Sequence, residues 1–223
     1  MRKLHKGLDM KYAWIAATTA CAAGLIAGPA CAQNFDAAAE AKWSNVEIVH
    51  FEAVGEVTEK HVQIPPVDAD LYADVTDRVT LSFDWNRKKK IFVGVPKFQN
   101  YPGSVTNLFG MERKCPTGKL NGPYEHFDIV EIKPGTPDLP PQLIGKRIHP
   151  DTMVAESCGP NLRLYKGAVS ARTEYFTPPD PQMLAMAGML PASSPIRVTP
   201  DGKSITMRAQ NNGWVWTYTP TAK

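Results

Sequence analysis

Residues 78–86 read RVTLSFDWN and alternate polar with apolar side chains over most of their length. On an extended chain, successive side chains point to opposite faces. One face would carry four apolar residues and the other three polar ones: Val79, Leu81, Phe83 and Trp85 against Thr80, Ser82 and Asp84. This alternation predicts a half-buried antiparallel strand. Residues 86–89 predict a turn and residues 90–95 a return strand, so we expect a hairpin here.

Short strand-like segments recur along the rest of the chain, separated by turn signals. They cover residues 46–57, 124–132, 143–148, 153–155, 162–176 (broken at Gly167), 196–198, 204–208 and 214–219. The chain has 20 prolines, of which only Pro29 precedes residue 33, and this density disfavours long helices. We therefore expect an all-β or mostly β protein, with one or two short helices, that folds as a single-domain antiparallel β-sandwich or distorted barrel.

Two segments have helical character. Residues 33–45 are alanine-rich, with Asn34 or Asp36 as a possible cap, and predict either a short helix or a loose N-terminal leader. Asp180 and Pro181 predict the start of a helix that continues over residues 182–190. Residues 100–122 are rich in Gly and Pro and predict mostly loop, with one helical turn near residues 105–109. The single β-rich domain is expected to span residues 46–223.

The first 32 residues have the order of a secretory signal peptide: a basic start, an uncharged stretch and small residues at a cleavage site. The basic start contains Arg2, Lys3, Lys6 and Lys11, residues 12–27 are uncharged, and residues 30–32 read ACA. We expect cleavage after Ala32 and a periplasmic or secreted protein with no stable membrane span. The alternatives are a retained anchor over residues 12–32, lipid attachment at Cys31, and a true start at Met10.

Removal of residues 1–32 would leave an electrically neutral protein. That segment holds four of the 25 Lys and Arg and one of the 22 Asp and Glu, which leaves 21 of each. Without a basic excess we expect no nucleic-acid binding. Residues 87–90 (RKKK) are the one dense basic cluster. We interpret them as a solvated hairpin tip, with contact to an anionic surface as the alternative.

Cys115 and Cys158 are the two cysteines that cleavage would leave. An even pair in an oxidising compartment predicts a disulfide. Closing a span of this length would stabilise the fold by roughly 3–4 kcal/mol in the chain-entropy model. A metal or redox thiol pair is the alternative, but there is no C-x-x-C motif and no histidine close to either cysteine in sequence.

Three aromatic residues, Trp214, Trp216 and Tyr218, share one face of a predicted strand. Aromatic side chains bury large areas, so this face would line a core. If the rings face solvent as a row, they would instead stack on a glycan or small ligand.

Three methionines, Met183, Met186 and Met189, recur at a spacing of three. Thioether sulfur is a soft ligand, so the set could bind Cu(I). Packing of an apolar helix face is the alternative, because methionine fills irregular gaps. Copper is the one cofactor that the sequence suggests.

His126 and Asp128 would share a face of the strand over residues 124–132. A histidine oriented by a carboxylate can act as a general base. Because no G-x-S-x-G or H-E-x-x-H motif accompanies the pair, a polar strand surface is the alternative.

The sequence predicts an exported, soluble β-rich protein that binds an unknown protein or cell-envelope ligand, or has a structural role. The absence of a convergent catalytic motif disfavours an enzyme. The alternatives are glycan or small-ligand binding through the aromatic face, copper binding through the methionines, and a hydrolase-like enzyme with the His126/Asp128 pair.

Overall fold

In a computed structural model of the protein, the predicted strand over residues 78–86 is the second half of a longer strand, β2 (Tyr72–Asn86). β2 pairs antiparallel with β1 (Ile48–Gln63), and the register places Phe51 opposite Phe83. Along β2 every second side chain is buried, as the alternation predicts. Residues 87–90 form the turn into the return strand, and the predicted hairpin is confirmed.

The structure describes residues 35–63, 72–109, 114–136, 139–156, 162–165, 172–187, 189–190, 193–209 and 213–223. These ranges contain a helix, α1 (Ala37–Ser44), and a 3₁₀ helix (Pro181–Met186). The remaining strands are β3 (Ile91–Asn100), β4 (Ser104–Phe109), β5 (Lys114–Leu120), β6 (His126–Lys133), β7 (Gln142–Ile148), β8 (Thr152–Glu156), β9 (Leu162–Tyr165), β10 (Arg172–Phe176), β11 (Ile196–Val198), β12 (Ile205–Arg208) and β13 (Val215–Ala222).

The strands form two antiparallel sheets. The larger has ten strands in the order β11-β12-β13-β1-β2-β4-β5-β8-β9, with β3 beside β2, and the smaller has the order β10-β7-β6. β2 is long enough to take two partners on one side. β4 pairs with residues 72–76 and β3 with residues 79–86.

One apolar core lies between the two sheets. The larger sheet supplies alternate residues of β1, β2 and β13, and the smaller sheet supplies Phe127, Leu143 and Phe176. Trp43 of α1 and Leu184 of the 3₁₀ helix are buried in the same cluster. Burial of aromatic and aliphatic side chains on this scale is the main favourable contribution to folding. The protein is therefore a β-sandwich-like, mostly β structure, as the sequence predicts.

The prediction for residues 100–122 is wrong, because β4 and β5 occupy most of this segment. Gly118 and Pro116 weaken the local strand signal, but β4 is paired with both β2 and β5. Pro116 lies where β5 pairs with β4 alone, since β8 pairs only with residues 118–120. Proline is tolerated at such edge positions.

The helix after Asp180 begins as predicted but is shorter and of a different type. Asp180 accepts the backbone N–H of Gln182 at 3.1 Å, and Pro181 occupies the first turn. The 3₁₀ helix ends at Met186, because Ala187 has an extended backbone (φ −53°, ψ 125°). The predicted strand over residues 162–176 is likewise two strands, β9 and β10, in different sheets.

Candidate functional site

The aromatic face of β13 and the residue before it points into the core. Trp214, Trp216 and Tyr218 are 0 %, 5 % and 3 % exposed. Trp216 makes edge contacts with Phe127 and Phe176, at centroid distances of 5.8 and 4.9 Å. In this arrangement the three rings present no face on which a glycan could stack.

The three methionines are divided between the core and the surface. Met183 packs against the main core, whereas Met186 and Met189 are 37 % and 38 % exposed. Met189 lies beyond the end of the 3₁₀ helix, so the three do not share one helix face. Copper binding by this set stays a prediction that their placement does not favour.

His126 and Asp128 do lie side by side on β6, with His126 Nε2 3.0 Å from Asp128 Oδ1. Both side chains are accessible, 35 % and 62 % exposed. A general base works best in a site that excludes water and positions a substrate. This pair lies on an open strand surface.

The cysteine prediction falls largely outside the described residues. Cys158 lies outside them, and Cys115 is described only as a β5 residue paired with Leu108. Residues 1–32 also lie outside them.

No group of three or more His, Cys, Asp or Glu side chains in the described ranges is arranged to hold a metal ion. His50 shows why proximity alone is insufficient. Its Nδ1 lies 2.7 Å from Asp84 and its Nε2 2.8 Å from Glu52. The two carboxylates thus contact opposite ring nitrogens and cannot converge on one ion. Burial lowers the pKa of His50, but these two carboxylates outweigh that effect and raise it.

A buried carboxylate, Glu125, joins the two sheets. It precedes β6 and is 1 % exposed. Its Oε2 accepts hydrogen bonds from Arg147 Nη1 on β7, at 2.8 Å, and from the indole N–H of Trp214 beside β13. His149 Nε2 lies 3.1 Å from Oε1, outside hydrogen-bond geometry. The carboxylate therefore connects the small sheet to the large one.

Glu125 is ionised at neutral pH. Burial alone would raise its pKa, but His149, the guanidinium of Arg147 and the Trp214 indole outweigh burial and lower it. Arg147 is itself 2 % exposed and also pairs with Glu174 at 3.1 Å. Since Glu125 and Arg147 are almost completely buried among protein groups, their contacts hold the sheets together.

Asp77 is a second buried carboxyl, located where β2 changes partner from β4 to β3. Its Oδ2 accepts the backbone N–H of Glu125 at 2.7 Å, which fixes the start of β6. Its Oδ1 has no hydrogen-bond partner among the described residues. Burial raises the pKa of Asp77 to about 6, against the opposing effect of backbone N–H groups.

We expect the Asp77→Asn substitution to change how stability depends on pH. Because the pKa of Asp77 rises from 3.8 to about 6 on folding, the native state binds a proton more tightly. The stability that neutral Asp77 contributes is present below about pH 4 and lost as the pH rises through about 6, by roughly 3 kcal/mol. Urea unfolding at both ends of this pH range should show that the free energy of unfolding of the variant rises relative to that of the wild type as the pH rises. An equal difference in the free energy of unfolding between variant and wild type at both pH values would contradict this prediction.

A cleft of about 630 Å³, here called the end cleft, lies beside the β2–β3 turn. Its walls come from that turn and from the connections after β6 and β10: residues 85, 87, 89–91, 134–136, 139–141 and 177–181. The volume is within the range of about 300–1,000 Å³ typical of small-molecule sites. Connections held by a rigid sheet framework commonly carry binding sites.

Hydrogen bonds hold the β2–β3 turn in place. Asn86, 5 % exposed, accepts the backbone N–H of Lys89 at 2.8 Å and donates to Glu47 Oε1 at 3.1 Å. Lys88 pairs with the other oxygen of Glu47 at 3.4 Å. The turn is therefore fixed before any ligand arrives.

Arg87 ties this turn to its neighbours. Its Nη1 donates to the Trp43 carbonyl at the end of α1. Its Nη2 donates to Asp180 Oδ1 at 3.1 Å and to Gln182 Oε1 at 2.9 Å. One guanidinium thus joins α1, the turn and the 3₁₀ helix, and its charge is compensated.

The connection after β6 is folded closely on itself. Thr136 and Leu139 exchange backbone hydrogen bonds at 2.9 and 3.3 Å. A Cβ at Gly135 would lie 2.7 Å from Pro141 Cδ, so this approach requires glycine. This wall of the end cleft is tightly packed as well.

Lys89 and Lys90 give the end cleft its charge. Its described lining residues include three cations and one carboxylate, a net charge of +2 for those residues, and Arg87 and Asp180 form an ion pair with each other. Neither exposed lysine has a carboxylate within ion-pair distance in the described ranges, although Lys89 interacts electrostatically with Glu47. The cleft therefore attracts an anion.

No protein-family model matches this chain, and neither a curated protein nor a solved structure shows significant similarity to it. Within the part of the chain that the structure describes, no helix combines the length and the apolar composition needed to cross a membrane. Function is therefore argued from the geometry of the site.

The sequence indicates parts of the end cleft but not their assembly. The basic run at residues 87–90 and the proline-dense segments near residues 134–141 and 177–181 are visible as separate features. Nothing in their spacing places them together, since they are joined by strand pairing and by Arg87. The sequence also does not indicate that Glu125 is buried, because a strand pattern shows which residues share a face but not which residues pack against that face.

Proposed function

We propose that this protein is exported to the periplasm or the cell exterior and binds an anionic ligand in the end cleft. The observation that carries the proposal is the pair Lys89 and Lys90, exposed and without ion-pair partners among the described residues, on the rim of a cleft of ligand size. The hydrogen bonds of Asn86 and Arg87 support it, because a preformed site loses less entropy on binding.

The end cleft is better suited to binding than to turnover. Asp180 is the one carboxylate among its described lining residues. It already accepts hydrogen bonds from Arg87 and from the N–H of Gln182. General acid–base catalysis needs a group that is free to exchange a proton with substrate. We therefore propose a binding protein rather than an enzyme.

Export rests on the order of residues 1–32 and is tested at the N-terminus. We expect the protein recovered from outside the cytoplasm to begin at Gln33. Edman sequencing or intact mass measurement distinguishes this from a retained leader or a lipid on Cys31. An N-terminus upstream of Tyr12, or protein found only in the cytoplasm, would contradict export.

The binding proposal predicts a specific loss in the double variant Lys89→Gln/Lys90→Gln. The probes are hexaglutamate, trigalacturonate and neutral maltotriose, titrated while amide chemical shifts are recorded. At least one anionic probe should shift the amides of Lys89, Ile91 and Thr136, and the variant should bind it about tenfold more weakly. Added salt should weaken wild-type binding, because the contact is electrostatic.

Lys88→Gln is the matched control, since Lys88 pairs with Glu47 and does not line the cleft. It removes one positive charge from the same turn, against two in the double variant, and should leave the affinity unchanged within about twofold. If neither anionic probe shifts the cleft amides, or if both variants weaken binding equally, the end cleft is not an anion site.

A further inference from the structure

We propose, on the basis of the proposed function, that the ligand of the end cleft is an acidic oligosaccharide, with its carboxylates on Lys89 and Lys90 and its hydroxyls against the proline walls. The cleft has few backbone donors, two lysine ammonium groups and an exposed apolar surface.

The cleft is poor in backbone donors. Six of its 16 lining residues are proline and have no N–H: Pro134, Pro140, Pro141, Pro178, Pro179 and Pro181. Four further backbone N–H groups, those of Arg87, Lys89, Thr136 and Leu139, already donate within the protein. Ten of the 16 positions therefore have no backbone donor left for a ligand.

This distribution disfavours an extended peptide. A peptide backbone brings alternating N–H donors and carbonyl acceptors, and its carbonyls need donors from the protein. Sugar hydroxyls act as donor or acceptor and rotate to suit their partner. A wall with few backbone donors therefore accommodates a sugar better than a peptide backbone.

The charged donors that remain are the two ammonium groups, because the Arg87 guanidinium already donates within the protein. A lysine ammonium is a compact charge with three donors, which matches a carboxylate on a sugar ring. The backbone N–H of Lys89 donates to Asn86 Oδ1, which holds Lys89 in the turn. The next residue, Lys90, has a positive φ of 53°. The two adjacent charges favour a ligand that carries more than one acidic group.

Apolar surface completes the match. Ile91 and Leu139 line the cleft and are 43 % and 62 % exposed. Together with the pyrrolidine rings they offer a hydrocarbon surface for the C–H face of a pyranose. Leu139 is held by its paired hydrogen bonds with Thr136, so its position does not depend on the ligand.

The test compares trigalacturonate, hexaglutamate and maltotriose on the purified protein by amide chemical shifts and calorimetry. Trigalacturonate should bind at the end cleft at least about tenfold more tightly than either other probe. Leu139→Ser should weaken its binding severalfold, because sugar packing is lost. Val95→Ser, at a 74 % exposed position outside the cleft, should not.

Each other outcome overturns the inference in a recognisable way. Tighter binding of hexaglutamate at the cleft leaves the anion site standing but replaces the sugar with a peptide. Equal binding of maltotriose and trigalacturonate shows that the lysines do not select acidic sugars. Absence of binding by both anionic probes rejects the inference together with the proposed function.

Discussion

Replacement of Glu125 by alanine is expected to lower the free energy of unfolding by about 3–5 kcal/mol. The substitution leaves Arg147, 2 % exposed, without its closest counter-ion, and it leaves the indole N–H of Trp214 without the carboxylate to which it donates. A buried charge or donor that loses its partner costs much more than an exposed one. Urea unfolding at neutral pH measures the loss.

Asp128→Ala is the matched control. Asp128 lies three residues further along the same segment, is 62 % exposed and also contacts a histidine. Exposed ion pairs contribute little, so the loss should stay within about 0.5 kcal/mol. Similar losses in the two variants would show that burial of Glu125 does not matter.

The double variant Glu125→Leu/Arg147→Met separates the cost of an unpaired charge from the loss of packing. It removes both charges and keeps apolar volume, so it should be more stable than Glu125→Ala alone. Glu174, 20 % exposed, loses its contact with Arg147 but keeps access to water. A double variant as unstable as the single one would assign the effect to packing.

Replacement of Trp216 by alanine is expected to lower the free energy of unfolding by about 3–5 kcal/mol. Its indole is 5 % exposed and lies between Trp214 and Phe176, at centroid distances of 5.9 and 4.9 Å. It also covers Gly55 of β1, where a Cβ would lie 2.8 Å from the ring. Truncation would therefore open a cavity that the paired strands cannot close.

Tyr175→Ala is the matched control, since Tyr175 precedes Phe176 on β10 but is 60 % exposed. Removal of this ring should cost less than about 1 kcal/mol. If Trp216→Ala is instead as mild as Tyr175→Ala and abolishes binding of a neutral glycan, the aromatic face acts as a ligand surface and its placement in the core is wrong.

The elements that the sequence predicts well are those whose pattern is local. The alternation of β2, the turn at residues 87–90 and the cap at Asp180 each depend on residues within one segment. The miss over β4 and β5 has the opposite cause. Their strand character comes from pairing with β2 and β8, which are distant in sequence. Local propensity is weak where glycine and proline interrupt it.

For the candidate functional residues too, the local pattern predicts some features and tertiary packing decides the others. That Trp214, Trp216 and Tyr218 share a face follows from strand period, as does the contact of His126 with Asp128. Whether such a face meets a core or water depends on what packs against it. The smaller sheet covers the aromatic face of the larger one. His126 and Asp128 belong to the smaller sheet, and their side chains remain exposed.

By itself, the sequence determined that this is a mostly β chain of short strands, because an alternating pattern can bury one face only when the backbone is extended. Tertiary structure alone decided that Glu125 meets Arg147 of the same small sheet and Trp214 beside β13 of the larger one, and that Lys89, Lys90 and two proline-rich connections line one cleft. Those contacts join residues far apart in the chain, and their partners are set by sheet order and register, which no local pattern specifies.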